Sequence, residues 1–235
     1  MINHRVKIAA GSVKICGNRN PELCRVAVES GANLLGFIFV PGVKRLITPE
    51  AAAECVAEVS RAADRRVLTV GVFVDEKPAV MNRHARIAGL DLVQLHGDEP
   101  AETLSEIDVP VVKVFRPKPA DALDGVRRRL ESYLRVPNAP IAFLIDGYDP
   151  RQHGGIGVRA DWGLTAALSK VYPVMLAGGL TPENVGSAIE AVRPLGVDVS
   201  SGVEMDGVPD ADRIKQFIAE AKAKFATRLV NQSAF

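Results

Sequence analysis

No apolar run in this 235-residue sequence is long enough to cross a bilayer: stretches such as residues 34–40 fall far short of the roughly 20 residues a spanning helix needs. The N-terminus also lacks the positive-then-apolar order of a secretory signal, so a cytoplasmic location is expected. An excess of charge is missing too. The formal net charge of +1 gives no electrostatic reason to expect nucleic acid or a membrane surface as a partner. Cysteine is scarce: Cys16, Cys24 and Cys55 are odd in number, without paired spacing or a nearby histidine cluster. Neither a disulfide framework nor a metal site is therefore expected, and at least one thiol should be free.

What is present is a soluble-globular composition, 47% hydrophobic and 24% charged, in a chain of the length an α/β barrel uses as one unit. Short β-branched runs recur at residues 13–16, 34–39, 67–73, 90–95, 111–115, 141–145, 174–177 and 197–199, eight in all. Each is near-continuously apolar, as strands buried on both faces are, and the intervals leave room for one crossover helix each. This pattern favours a single (β/α)8 TIM barrel, with a doubly wound open sheet as the structural competitor. The barrel is expected over residues 13–225. Residues 1–12 read as an extension or an extra strand, and 226–235 as a tail.

Asn20-Pro21-Glu22, Thr48-Pro49-Glu50 and Thr181-Pro182-Glu183 each place a capping side chain, then proline at the first helical position, then an acid that suits the helix dipole. Three helix starts are expected there. Residues 121–134, bracketed by prolines, read as a helix with loose ends, and Ile214, Phe217, Ile218, Ala221 and Phe225 mark a closing helix.

Barrels of this kind do their chemistry at the C-terminal ends of the strands, where this chain places Cys16, Asp75, His96, Arg116, Asp146, Gly178-Gly179 and Ser200-Ser201-Gly202. The glycine turns after the last two strands either merely make tight βα turns or, as their pairing in these two positions favours, cradle phosphate, because glycine lets backbone N–H groups approach an anion closely. Cys16, followed by Gly17, is by position equally a reactive thiolate or an inert buried thiol; Cys24 and Cys55 read as inert. Asp146 follows a fully apolar run, where desolvation can raise a carboxyl pKa into the range of a general acid, or it bonds loop backbone. Asp75 reads as a helix-entry cap. Arg45 is either a carboxylate fork or a solvated loop arginine, and His96 either a pocket base or a structural histidine.

The same residues carry a family resemblance. Val13-Lys14-Ile15-Cys16-Gly17, Gly36-Phe37-Ile38-Phe39, Gly71-Val72-Phe73-Val74, Val93-Gln94-Leu95-His96-Gly97-Asp98-Glu99, Leu176-Ala177-Gly178-Gly179-Leu180 and Val197-Asp198-Val199-Ser200-Ser201-Gly202-Val203-Glu204 resemble, in order, the motifs of the phosphoribosylanthranilate isomerase family. The resemblance implies the Amadori rearrangement of N-(5-phosphoribosyl)anthranilate in tryptophan biosynthesis, with no cofactor or metal. Its partner would be that small phosphorylated sugar substrate. Matched position by position, the resemblance makes Cys16 the general base, Asp146 the general acid and Arg45 the holder of the anthranilate carboxylate. Gly178, Gly179, Ser200, Ser201 and Gly202 would form the phosphate cradle, with His96 in the pocket. The chain departs from the family pattern at Val43-Lys44, where small or proline residues are usual, and at Ile156, where threonine is. An epimerase or aldolase barrel is the competing enzyme reading, disfavoured by a single strand-end histidine and by lysines only at Lys14 and Lys113 within strands. A binding-only barrel would have no need of both Cys16 and Asp146.

Overall fold

A computed structural model describes residues 6–63, 66–148 and 159–232, with side chains to 228. Eight parallel strands close in sequence order into a barrel: β1 Ser12–Cys16, β2 Leu34–Ile38, β3 Leu68–Phe73, β4 Leu92–Leu95, β5 Val111–Phe115, β6 Ala142–Ile145, β7 Val174–Leu176 and β8 Gly196–Val199. Closure is made by β1 on β8, with Lys14 beside Asp198 in register. The open-sheet alternative is thereby excluded.

Apolar residues on both faces explain why the strand runs read as continuous. Leu34, Leu68, Val70, Leu92, Val112, Val114, Leu144 and Met175 form one cluster, inside the barrel. Alternate residues such as Val13, Ile15, Leu35, Phe37, Val93 and Val197 pack instead with helix residues such as Cys24, Ala27, Cys55, Met81, Ile189 and Phe217. Buried polar side chains interrupt the interior at Lys14, Gln94 and Asp198.

The helices are α1 Pro21–Glu29, α2 Pro49–Ala62, α3 Pro78–Ala88, α4 Leu123–Tyr133, α5 Trp162–Ser169, α6 Val185–Val192 and α7 Ala211–Gln232. Two of the three expected starts form as read: Asn20 accepts from the N–H groups of Glu22 and Leu23, and Thr48 from that of Ala51. The third differs. Asn184 turns its side chain onto the Thr181 N–H and the Gly179 carbonyl, so a tight turn fills residues 181–184 and α6 begins at Val185. Between β4 and β5 the expected crossover helix is a six-residue 3-10 helix, Ala101–Glu106. The 15 residues there leave little room for several α turns, and the Asn138 amide bonds the carbonyls of Leu104, Ile107 and Val109 to close the segment off. The closing helix α7 continues to Gln232, beyond the tail boundary expected at residue 226.

Ahead of β1, residues 6–9 have no regular secondary structure, yet Val6 is 5% exposed and belongs to the interior cluster with Leu34, Leu68 and Leu92 at strand beginnings. The segment closes the N-terminal mouth of the barrel. Val6→Ala, which removes two methyl groups there, is expected to cost about 1.5–2 kcal/mol. It should appear as a lower denaturant midpoint at unchanged slope, and an unchanged midpoint would contradict the seating of Val6.

Candidate active site

The strand ends meet at the opposite mouth. Cys16 terminates β1, half-buried, and the chain is held there by Asn18, whose amide donates to the carbonyls of Ile15 at 2.8 Å and Gly36 at 3.0 Å. Gly17 makes room for a neighbour: a Cβ on it would lie 2.3 Å from Arg45 Cδ and 3.4 Å from Ser200 Oγ. The Arg45 stem therefore crosses directly over the end of β1. Ser200 Oγ donates to the Cys16 carbonyl at 3.2 Å, so the ends of β1 and β8 and the loop after β2 share one spot.

Arg45 is largely buried and bound. Its Nε donates to Glu204 Oε1 at 2.8 Å and its Nη2 bonds the same oxygen. One edge of the guanidinium fork is thus occupied, and the other keeps donors for a further acceptor. Glu204 begins a small hairpin after β8, strands β9 Glu204–Met205 and β10 Val208–Pro209, turned through Asp206-Gly207. Lys44 donates to the Gly207 carbonyl, and its own carbonyl accepts from Arg19 at 2.9 Å. The departure at Lys44 is therefore a strap that ties the loop after β2 to this hairpin. The second departure, Ile156 in Gly154-Gly155-Ile156-Gly157, lies outside the described residues.

Across the mouth, three strands around from β1, Asp146 ends β6 and is 7% exposed. Its Oδ1 accepts from the Gly147 N–H at 2.7 Å, while Oδ2 stands 3.2 Å from His96 Nε2 at the end of β4. That contact has the distance of an ion pair but not the geometry of a hydrogen bond, so the ring nitrogen has no hydrogen-bond partner. Gln94, two residues before His96 on the same strand face, lies 3.2 Å from His96 Nδ1 through its amide nitrogen. With that amide donating, the ring hydrogen sits on Nε2, facing Asp146. Arg116 stands half-buried at the end of β5. Asp75 is not a helix cap: its N–H donates to Glu99 and its Oδ1 accepts from the Asp98 N–H at 2.7 Å, which staples the β3 and β4 loops together.

The glycine turns lie side by side. Gly178 and Gly179 both have positive φ, 83° and 63°. The turn after β8 is a 3-10 helix, Ser201–Val203, and a Cβ on Gly202 would fall 1.7 Å from the Leu180 carbonyl oxygen. Arg213 of α7 bonds both the Gly202 carbonyl and Glu183, bracing the two loops. Sequence reasoning passed over Asn18, Glu204 and Arg213. Glu204 lay inside a quoted motif, but its partner, 159 positions away, had no local signature.

Burial pushes the Cys16 thiol pKa above its ordinary value; Lys14 and, more weakly, Arg45 pull it down, and Asp198 pushes it up. Among the described residues there is no grouping of three or more His, Cys, Asp or Glu side chains placed to hold a metal ion. No helix among them is long and apolar enough to cross a membrane.

The arrangement has known counterparts. A family model described as N-(5'-phosphoribosyl)anthranilate (PRA) isomerase matches residues 13–220. The N-(5'-phosphoribosyl)anthranilate isomerase of Geobacter sulfurreducens is 44% identical over 211 residues, 89% of this chain and 98% of that protein. Phosphoribosylanthranilate isomerase from Thermotoga maritima superposes with a TM-score of 0.75 at 40% identity, covering 90% of this chain and 98% of that one. A phosphoribosylanthranilate isomerase in complex with reduced 1-(o-carboxyphenylamino)-1-deoxyribulose 5-phosphate superposes with a TM-score of 0.72 at 39% identity, over the same 90% and 98%.

Proposed function

This chain belongs to the N-(5'-phosphoribosyl)anthranilate isomerase family and is an isomerase of tryptophan biosynthesis; from that premise we propose that Asp146 is its general acid and Cys16 its general base. Arg45 would hold the anthranilate carboxylate, and the turns at Gly178-Gly179 and Ser200-Ser201-Gly202 the phosphate. The observation that carries this reading is the convergence at one barrel mouth of Cys16, Arg45 and Ser200 on one side with His96 and Asp146 on the other.

Asp146 delivers a proton to the furanose ring oxygen, and the sugar opens to a Schiff base. Cys16 then removes the C2 proton, the electron pair moves between C1 and C2 to give an enolamine, and tautomerisation yields the C2 ketone. Phosphate held at one end and carboxylate at the other fix the sugar between acid and base. His96, whose Nε2 stands 3.2 Å from Asp146 Oδ2, would be the nearest side chain to the acid. The test is a fluorescence assay of freshly made phosphoribosylanthranilate, with Cys16→Ala and Asp146→Ala as controls. Full activity in either variant would sink the assigned roles.

Arg45→Met should raise KM about 10- to 100-fold, the effect of losing a charge-assisted clamp of roughly 1.5–3 kcal/mol, with a smaller change in kcat. A phosphoribosylaniline without the carboxylate should be indifferent to the substitution. An equal loss on both compounds would remove Arg45 from the carboxylate.

A further inference from the structure

The reaction as assigned gives no task to the buried cation beside Cys16. Lys14 is 1% exposed inside the barrel, two residues before Cys16 and therefore on the same strand face. Its Nζ donates to Asp198 Oδ1 on β8 at 2.9 Å, and that carboxylate is nearly as deeply buried. The rest of the barrel interior is mostly apolar, with Leu34, Leu68, Val70, Leu92 and Val112 in one cluster. A buried ion pair is a poor source of stability, because the cost of desolvating two charges offsets most of their attraction. Stability is thus a weak reason for its presence here.

Its position supplies a better one. Gly36 on β2 pairs in register with Cys16, and a Cβ on Gly36 would lie 2.7 Å from Cys16 Sγ and 2.9 Å from Lys14 Nζ. The space that this glycine leaves empty is where thiol and ammonium meet. A thiol can act as a base only as thiolate, and burial disfavours the charged form unless a cation stands beside it.

We propose that Lys14 is the counter-ion that stabilises the proton-accepting thiolate of Cys16, and that Asp198 is a positioning residue that keeps the ammonium charged and aimed at the sulfur. This rests on the reading of Cys16 as the base. The thiol first loses its proton to solvent. The thiolate then takes the C2 proton, the C–H pair forms the C1–C2 double bond while the π pair of the protonated C1–N Schiff base moves onto nitrogen, and sulfur leaves the step as a thiol beside an ammonium of unchanged charge. Burial alone would lower the Lys14 pKa; Asp198 and Cys16 beside it hold it above its ordinary value. The groups facing the sulfur are Lys14 on β1, Asp198 on β8 and Arg45 from the loop after β2, with Asp146 and His96 acting on Asp198 from across the mouth. On β2 the neighbour is Gly36, which carries no charge.

The test is the pH profile of iodoacetamide alkylation at Cys16, followed by mass spectrometry of its peptide and compared with the pH profile of kcat/KM. Lys14→Met alone leaves Asp198 buried and unpaired, which threatens folding and itself raises the thiol pKa. The deciding variant is therefore Lys14→Met with Asp198→Asn, which removes a neutral pair. The alkylation midpoint should rise by about one pH unit or more and kcat at neutral pH should fall at least about tenfold, with KM little changed. A merely structural pair would lower activity without moving the midpoint, and an unmoved midpoint in a folded double variant overturns the proposal. An unmoved midpoint with inactive Cys16→Ala would overturn the counter-ion and leave the base. A moved midpoint with fully active Cys16→Ala would overturn the base and leave the ion pair acting on a thiol outside the reaction.

Discussion

Cys16→Ala and Asp146→Asn are each expected to lower kcat by about 10²–10⁴-fold, the usual share of a positioned acid or base, with KM and thermal midpoint near those of the unsubstituted chain. The two substitutions are chosen to leave the fold alone. Alanine at residue 16 removes one half-buried sulfur from the end of β1, while the hydrogen bonds that hold the chain there come from Asn18 and remain. Asparagine at residue 146 keeps an oxygen for the Gly147 N–H and loses only the proton it would donate. Because acid and base serve successive steps, a double variant should fall well short of the product of the single effects once the uncatalysed background is reached. Burial and its neighbours leave the Cys16 thiol with a raised pKa, so the thiolate fraction grows as pH rises. Alkylation of Cys16 in the unsubstituted chain should therefore speed up as pH rises and level off above the thiol pKa, whereas kcat/KM, which also needs Asp146 protonated, should be bell-shaped. An alkylation rate that does not rise with pH would speak against a thiolate at this site.

Gly202→Ala should raise KM about 100-fold, roughly 2.7 kcal/mol of binding. The new Cβ would stand 1.7 Å from the Leu180 carbonyl oxygen, less than half of an ordinary contact, and that atom is backbone rather than a side chain that can swing away. One of the two turns must move. If they cradle phosphate together, the inhibition constant of inorganic phosphate should rise in parallel with KM. Gly186→Ala in α6 is the control: its Cβ meets nothing within 4 Å, so KM should hold and stability should gain a few tenths to about 1 kcal/mol. An unchanged phosphate constant in the Gly202 variant would take the phosphate away from this turn.

The sequence was most readable where the cause is local. Asn20 and Thr48 cap their helices with their own side chains, and the near-continuous apolar character of eight short runs is enough to imply strands buried on both faces. Thr181-Pro182-Glu183 has the same local signature but yields to Asn184, whose amide is drawn to Gly179 in the turn packed against Gly202. The Asp206-Gly207 hairpin carried a turn signal that was not taken up. Strand-end positions alone nominated Cys16 and Asp146, since polar residues after apolar runs point into the mouth. Their partners were not readable in the same way. Lys14 finds Asp198 across 184 residues, Arg45 finds Glu204 across 159, and Lys44 reaches Gly207 across 163. Such pairings arise from barrel closure, and nothing in the neighbouring residues announces them. Asp75 shows the converse error: a plausible local cap became a tertiary staple once Glu99 and Asp98 were brought beside it.

The seam between β1 and β8 has a consequence for the order in which the enzyme comes into being. Lys14 and Cys16 leave a ribosome well before Asp198, Ser200 and Glu204, which follow only after nearly the whole barrel has been made. A nascent chain that still lacks β8 holds both the acid and the sulfur, yet the ammonium beside that sulfur has no carboxylate and the arginine above it has no anchor. Joining such distant segments is the slow part of folding a parallel barrel. Turnover would therefore begin only when the two ends of the chain have found each other, so the onset of catalysis doubles as a clock for ring closure in a refolding experiment.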